Sequence, residues 1–324
     1  MYRTLVIPLD GSELAEGVLP HVRELIRDLG SQVYLLSVAP LTKGLASTVV
    51  DVPSSPANMQ EEKRYEERRY VERELTQYLR AKARQLEPVA AGVQVSVRFG
   101  RPADEILAFA GEVGADLIAM STHGRSGIRR WVFGNVTDRV LHGAACPVLL
   151  VRAGQAQPQT AYRRILVPLD GSELAEQILP YVKALICPAP APPPRRGKRG
   201  SPHVFLISVL ATGLGDRTVA LLTSYPPGFQ LATTAFHSAE IQLRNYLRSV
   251  ATALRKQGAI VHIAVLQGSP ADEILTYAAE VEADLISMTT HGFSGMSRWV
   301  YGNVAGKVLQ GAQSPVLLVR PALE

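Results

Sequence analysis

No apolar run in this sequence is long enough to span a membrane, and the opening residues Met1-Tyr2-Arg3-Thr4 lead directly into an apolar strand pattern. A basic head, a long apolar stretch and a small-residue cleavage site are all missing there, so no membrane span and no secretory leader are expected. Cysteine is nearly absent: only Cys146 and Cys187 occur, in neither a metal nor a redox spacing. That argues against a disulfide scaffold and points to a reducing cytoplasm. Strong charge of one sign is lacking too. The formal net charge of +5 permits anionic ligands such as phosphates but gives no clear signal for nucleic acid. What remains is an ordinary globular composition, 47% hydrophobic and 19% charged, in 324 residues, enough for two domains that each bury a core.

An internal repeat dominates the chain. Residues 5–20 (LVIPLDGSELAEGVLP) return as 165–180 (ILVPLDGSELAEQILP), with eleven of sixteen positions identical. GRPADEIL at 100–107 returns as GSPADEIL at 268–275, and 123–152 returns as 291–320 with twenty of thirty positions identical. The order of blocks is the same in both halves, which makes this a duplicated domain. We expect one domain over 1–152, a small polar linker at 153–161 and a second domain over 162–324. The second copy carries an inserted Pro/Arg-rich loop at about 188–202 (PAPAPPPRRGKRGSP), expected to be a solvated surface segment.

Within each copy, short β-branched runs alternate with helical patterns. In the first copy strands are expected at Thr4–Leu9, Gln32–Val38, Val93–Phe99, Asp116–Met120 and Val148–Val151, with helices at about 12–28, 58–86, 102–112 and 135–142. Strands separated by helices imply an α/β fold: a doubly wound, five-stranded parallel sheet in each domain, with helices on both faces. The charges of residues 61–84 sit at helical spacings, such as Glu66/Arg69 and Arg68/Glu72, and predict a surface helix laced by ion pairs.

Doubly wound sheets bind ligands beyond the carboxyl ends of their strands, at the topological switch point. The first strand ends in Pro8-Leu9-Asp10-Gly11-Ser12 and its twin in Pro168-Leu169-Asp170-Gly171-Ser172. An aspartate there suits a ribose hydroxyl or base amine, and equally suits a turn or helix cap. The fourth strand ends in Met120-Ser121-Thr122, followed by His123-Gly124-Arg125-Ser126-Gly127 and a helix from Gly134-Asn135-Val136. Its twin is Met288-Thr289-Thr290, then His291-Gly292, with a helix from Gly302-Asn303-Val304. Glycines let backbone amides approach a phosphate, and the following helix N-terminus adds unpaired N–H groups. Neither His123 nor His291 has a cysteine, second histidine or carboxylate cluster beside it in sequence, so metal ligation and nucleophile–base chemistry are not expected.

Taken together, VIPLDGS/LVPLDGS, GxPADEIL, ADLIxM followed by THG, and GNV…CPVLLVR/GNV…SPVLLVR resemble the universal stress protein family, once per half. The resemblance implies a tandem member with adenine nucleotide alpha hydrolase-like domains, acting as a cytoplasmic stress-response regulator. Its ATP-binding members carry Gly-x2-Gly-x9-Gly followed by Ser or Thr. The second and third glycines match Gly124 and Gly134, and Gly292 and Gly302, whereas the first becomes Ser121 or Thr289 and the closing Ser/Thr becomes Asn135 or Asn303. The implied ligand is ATP, with AMP or ADP as alternatives and Mg²⁺ accompanying the phosphates. The first site would use Pro8, Leu9, Asp10, Val38, Met120, Ser121, His123, Gly124, Arg130, Gly134, Asn135 and Val136. The second would use Pro168, Leu169, Asp170, Val209, Met288, Thr289, His291, Gly292, Arg298, Gly302, Asn303 and Val304. The resemblance also implies pairing of the two domains through their last strands, with homodimer formation as a further option.

Two other function classes stay open beside nucleotide-dependent regulation. A nucleotide-free interaction module would use the loop glycines for the fold alone. A slow ATP hydrolase would need no more than a bound nucleotide, although the chain has no Gly-Lys-Ser/Thr loop ending and no HxGH or SGGxDS signature.

Overall fold

The computed structural model describes residues 1–27, 29–40, 57–122, 134–152, 162–186, 201–211, 226–290 and 302–321. The expected linker at 153–161 and most of the expected inserted loop lie outside them. In the first half the chain runs β1 (Thr4–Pro8), α1 (Glu13–Glu16), α2 (Val18–Ile26), β2 (Gln32–Ala39), α3 (Ala57–Ala83), β3 (Gly92–Phe99), α4 (Pro102–Glu112), β4 (Leu117–Thr122), α5 (Asn135–Gly143) and β5 (Val148–Arg152). The second half repeats the order as β6 (Arg164–Pro168), α6 (Glu173–Glu176), α7 (Leu179–Ile186), β7 (His203–Ala211), α8 (Pro226–Arg255), β8 (Ile260–Gly268), α9 (Pro270–Glu280), β9 (Leu285–Thr289), α10 (Asn303–Gly311) and β10 (Val316–Val319).

All ten strands join one sheet in the order β3-β2-β1-β4-β5-β10-β9-β6-β7-β8. Pairing is parallel within each half and antiparallel only at β5–β10, where Val148, Leu149 and Leu150 oppose Leu318, Leu317 and Val316. The pairing of last strands implied by the sequence is therefore present within one chain. An apolar edge such as VLLV invites pairing with another strand, and here each half covers the other's. Near-continuous apolar strands fit a sheet covered on both faces. On one face Leu5, Ile7, Leu35 and Leu149 pack with Leu19, Val22 and Ile26 of α2 and Leu79 of α3; on the other, Val6, Leu36, Ile118 and Leu150 pack with Ile106 of α4 and Val140 of α5. Both clusters continue into the second half through Leu317 and Leu318, so the seam crosses a shared core.

Two features depart from the sequence pattern. The helix expected at about 12–28 is broken at Gly17, whose N–H closes α1 on Ala15 and Leu14 carbonyls while the residue opens α2. The pairs Glu66/Arg69 and Arg68/Glu72 do not close to ion pairs. Arg68 instead lies over the Phe99 ring at 4.3 Å, and Arg69 over Tyr65 at 5.8 Å. Exposed ion pairs are worth a few tenths of a kcal/mol, about what an aromatic face offers an arginine, so packing decides.

At the amino ends of the strands, Asp116 accepts hydrogen bonds from the backbone N–H of Arg3 and Thr4 at 2.8 and 3.0 Å, and Asp284 does the same for Arg163 and Arg164 at 2.7 and 2.9 Å. The aspartate of each ADLI block thus pins the first strand of its half to the fourth.

Candidate functional site

In each half the strand order reverses between the first and fourth strands. Leu5 and Val6 pair with Leu117 and Ile118, and Ile165 and Leu166 pair with Leu285 and Ile286. Successive crossovers leave to opposite faces there, and in doubly wound sheets that reversal is where a ligand crevice belongs: here at the carboxyl ends, between Pro8-Leu9-Asp10 and Met120-Ser121-Thr122. The antiparallel seam turns the second half around, so its crevice, between Pro168-Leu169-Asp170 and Met288-Thr289-Thr290, opens at the opposite end of the sheet.

The first strand end is held by a small network that occurs twice. Leu9 N–H donates to the Leu36 carbonyl at 2.8 Å, and the buried Ser37 hydroxyl donates to the Leu9 carbonyl at 2.6 Å. Asp10 Oδ1 accepts from the N–H and hydroxyl of Ser12 at 3.0 and 2.6 Å, while Ser12 Oγ accepts from Ala15 N–H at 3.1 Å as the cap of α1. Gly11 between them has φ +84, a left-handed conformation that a side chain would strain. Leu169, Asp170, Gly171, Ser172 and Ser208 repeat the arrangement, with Ser172 N–H and hydroxyl at 3.0 and 2.6 Å from Asp170 Oδ1 and Ser208 Oγ at 2.6 Å from the Leu169 carbonyl. Asp10 and Asp170 are therefore turn-forming residues, and both remain exposed at the strand end. Ser37 and Ser208 were absent from the expected set. The sequence signal for them was available, since each directly precedes the expected Val38 or Val209.

Val38 and Val209 are half-buried on β2 and β7, two residues beyond Leu36 and Ile207, the partners of Pro8 and Pro168. Met120, Ser121, Met288 and Thr289 are buried at the ends of β4 and β9. Ser121 Oγ has no hydrogen-bond partner among the described residues and faces Gly17, where an added Cβ would lie 3.9 Å away. An orphaned buried hydroxyl is uncommon enough to mark a place.

Helices α5 and α10 begin at Gly134 and Gly302, which stand in extended conformation at the cap with no side-chain hydrogen bond. A glycine at the cap has no side chain to accept from the first amides of the helix. Asn135 and Asn303 occupy the first helical position and are exposed; Val136 and Val304 follow, half-buried against the core. A Cβ added at Gly134 would meet nothing within 4 Å among the described residues. In the second half Gly302 N–H donates to the Thr290 carbonyl at 3.0 Å, tying the helix start to the end of β9. His123, Gly124, Arg130, His291, Gly292 and Arg298 lie outside the described residues.

The two crevices differ at their rim. Glu16 on α1 accepts from the Tyr78 hydroxyl at 3.0 Å and from Lys82 Nζ at 2.6 Å. Burial, and then the Glu16 hydrogen bond, push the Tyr78 phenol far above its ordinary range, so it stays a donor. In the second half Tyr246 and Glu176 stand at the same repeat positions, but the Tyr246 hydroxyl has no hydrogen-bond partner among the described residues, and Val250 stands where the first half has Lys82.

Comparison with known proteins agrees with this architecture. The model of the universal stress protein family matches residues 1–152 and 203–320. A universal stress protein of Methanocaldococcus jannaschii is 30% identical over 153 residues, which is 47% of this chain and 83% of the relative. One of Mycobacterium tuberculosis is 26% identical over 239 residues, 72% of each chain. The solved structure of a universal stress protein from Archaeoglobus fulgidus shares the fold over 99% of this chain and 97% of its own, with a TM-score of 0.64 at 21% identity. With the family model matching most of its length, and each half built on the same five-stranded plan, the chain belongs to the universal stress protein family.

Proposed function

We propose that this protein is a nucleotide-dependent regulator that binds ATP, or else AMP or ADP, at the switch-point crevice of one or both halves. The observation that carries the reading is the pair of glycine-capped helices, α5 and α10, whose cap residue offers the first amides no side-chain acceptor; in the second half Gly302 N–H ties the helix start to the end of β9. A helix N-terminus of that kind favours a phosphate through its N–H groups and its dipole. The base and ribose would lie toward Asp10 and Val38 in the first half and Asp170 and Val209 in the second. The phosphates would lie toward Gly134 and Asn135, or Gly302 and Asn303, with Mg²⁺ carried in on them. His123, Gly124 and Arg130, and His291, Gly292 and Arg298, complete the proposed sites from the intervening loops. Hydrolysis of the nucleotide is not part of the reading.

The turn around Asp10 favours a second reading, a nucleotide-free interaction module, because the Ser12 bonds give that carboxylate a structural task whether or not a ligand binds. A homodimer would need a surface other than β5 and β10, which pair with each other. Nucleotide extraction from the purified protein, followed by calorimetric titration with ATP, AMP and Mg²⁺, separates the readings. Neither bound nucleotide nor binding heat would leave the interaction module standing.

A further inference from the structure

Helix α3 lies along the outermost strands, β2 and β3, and turns a strongly basic face to solvent. Arg69, Arg73 and Arg80 on the helix and Arg84 just beyond it line one open groove, all four exposed; Glu72 is the one carboxylate among the described residues lining it. At 1.5 Å per residue this row is roughly 22 Å long. None of the four arginines has a carboxylate within ion-pair distance among the described residues, and the other glutamates of residues 65–84, Glu66, Glu67 and Glu74, stand outside the groove. Tyr65 and Tyr70, beside the N-terminal end of the row, are 63% and 62% exposed, the two aromatic side chains among the large exposed apolar residues described. The Arg69 guanidinium already lies over the Tyr65 ring. In the second half, His237, Ile241, Arg248 and Thr252 stand at the arginine positions and Ser238 at the Tyr70 position. The row therefore serves neither the fold nor the feature that both halves share.

We propose that this face of α3 binds single-stranded nucleic acid. A straight row of arginines matches an extended line of phosphates, and the guanidinium fork suits a phosphate oxygen pair. Exposed tyrosines beside such a row provide stacking platforms that an acidic protein surface would not need, while unpaired bases would. Four phosphates neutralised on a single strand give a log–log salt slope of about −2.8, or roughly fiftyfold weaker binding between 50 and 200 mM salt.

The full chain would be titrated into a fluorescein-labelled 20-nucleotide oligouridylate, with anisotropy read at several salt concentrations and saturating ATP present, so that the switch-point sites cannot take up the RNA. The parent should show the slope near −2.8, and Arg73→Ala/Arg80→Ala about half of it. Tyr65→Ala/Tyr70→Ala should weaken binding severalfold at unchanged slope. These side chains are exposed, so melting temperatures should match the parent, and Arg248→Ala in the second half should change little. Absence of binding at 50 mM salt, or an unaltered slope in the double arginine variant, overturns the proposal. So does displacement of the RNA by polyglutamate combined with indifference to the tyrosine changes, which would identify an acidic-protein surface instead.

Discussion

Leu149 lies opposite Leu317 in the antiparallel pairing of β5 with β10, and each is the other's counterpart in the repeat. A pseudo-two-fold axis therefore passes through this pair, as in an isologous dimer interface. Contacts on either side obey it. The Tyr2 hydroxyl donates to the Tyr181 carbonyl at 3.2 Å, and the Tyr162 hydroxyl shares a 3.2 Å hydrogen bond with Nδ1 of His21. Tyr2 and Tyr162 are counterparts, and so are His21 and Tyr181, so equivalent residue pairs meet twice across the axis, once through the Tyr181 backbone carbonyl and once through the His21 ring.

Leu317 is 2% exposed at this axis. Leu317→Ala should lower stability by about 2–5 kcal/mol, as large-to-small changes in packed cores do. Because both core clusters cross the seam, urea unfolding of the parent should follow one transition for both halves. Two separate transitions in the parent would show that the seam does not couple them.

His21 should make stability depend on pH. Burial depresses its pKa from 6.5 to about 4, so the folded state resists a proton that the unfolded chain accepts. Stability is unaffected by this group above the unfolded pKa, falls as pH drops through 6.5, and stops falling once pH passes the folded value near 4. The slope within that window is at most about 1.4 kcal/mol per pH unit. Thermal melts of the parent should drop more between pH 7 and pH 4.5 than those of His21→Gln; equal drops would remove His21 as the cause.

Substitution at the helix starts tests the proposed sites one at a time. Gly134 stands at φ −64, ψ 149, which a β-branched residue adopts readily, and an added Cβ has open space. Gly134→Val should fold normally and block phosphates in the first half, and Gly302→Val should do so in the second. The first half carries Arg125, Arg129 and Arg130 in its loop against Arg298 alone in the second. Two extra cations at ~0.5 kcal/mol each would make the first site roughly fivefold tighter. Calorimetry should therefore find stronger residual ATP binding in Gly302→Val than in Gly134→Val, and the reverse order would sink the assignment.

Cys146 should be a poor nucleophile. Burial pushes its thiol up to about 11, and the thiolate is the reactive form. In Cys187→Ser protein at pH 7.5, labelling by a maleimide should run about a hundredfold slower than for an exposed thiol. Labelling at the ordinary rate would show that the pocket around Cys146 opens readily.

The sequence by itself determined the duplication, the alternation of strands and helices and the parallel sheet, because each rests on local periodicity or on repeated blocks. It also pointed to the two strand ends that, with the strand order of the folded sheet, lie at the switch points. It left undivided the role of Asp10, since ligand contact, turn and cap demand the same residue types; the tertiary structure gave Asp10 a turn with Ser12, which itself caps α1. The sequence pattern also paired Glu66 with Arg69, whereas packing against Phe99 and Tyr65 drew the arginines elsewhere. Only the three-dimensional structure decided which distant residues meet. The meeting of Tyr2 with Tyr181 and of Tyr162 with His21, the placement of the two switch points at opposite ends of the sheet and the arginine row on one face all follow from the antiparallel seam and from how α3 rotates to bury its apolar side, neither of which any local stretch of sequence encodes.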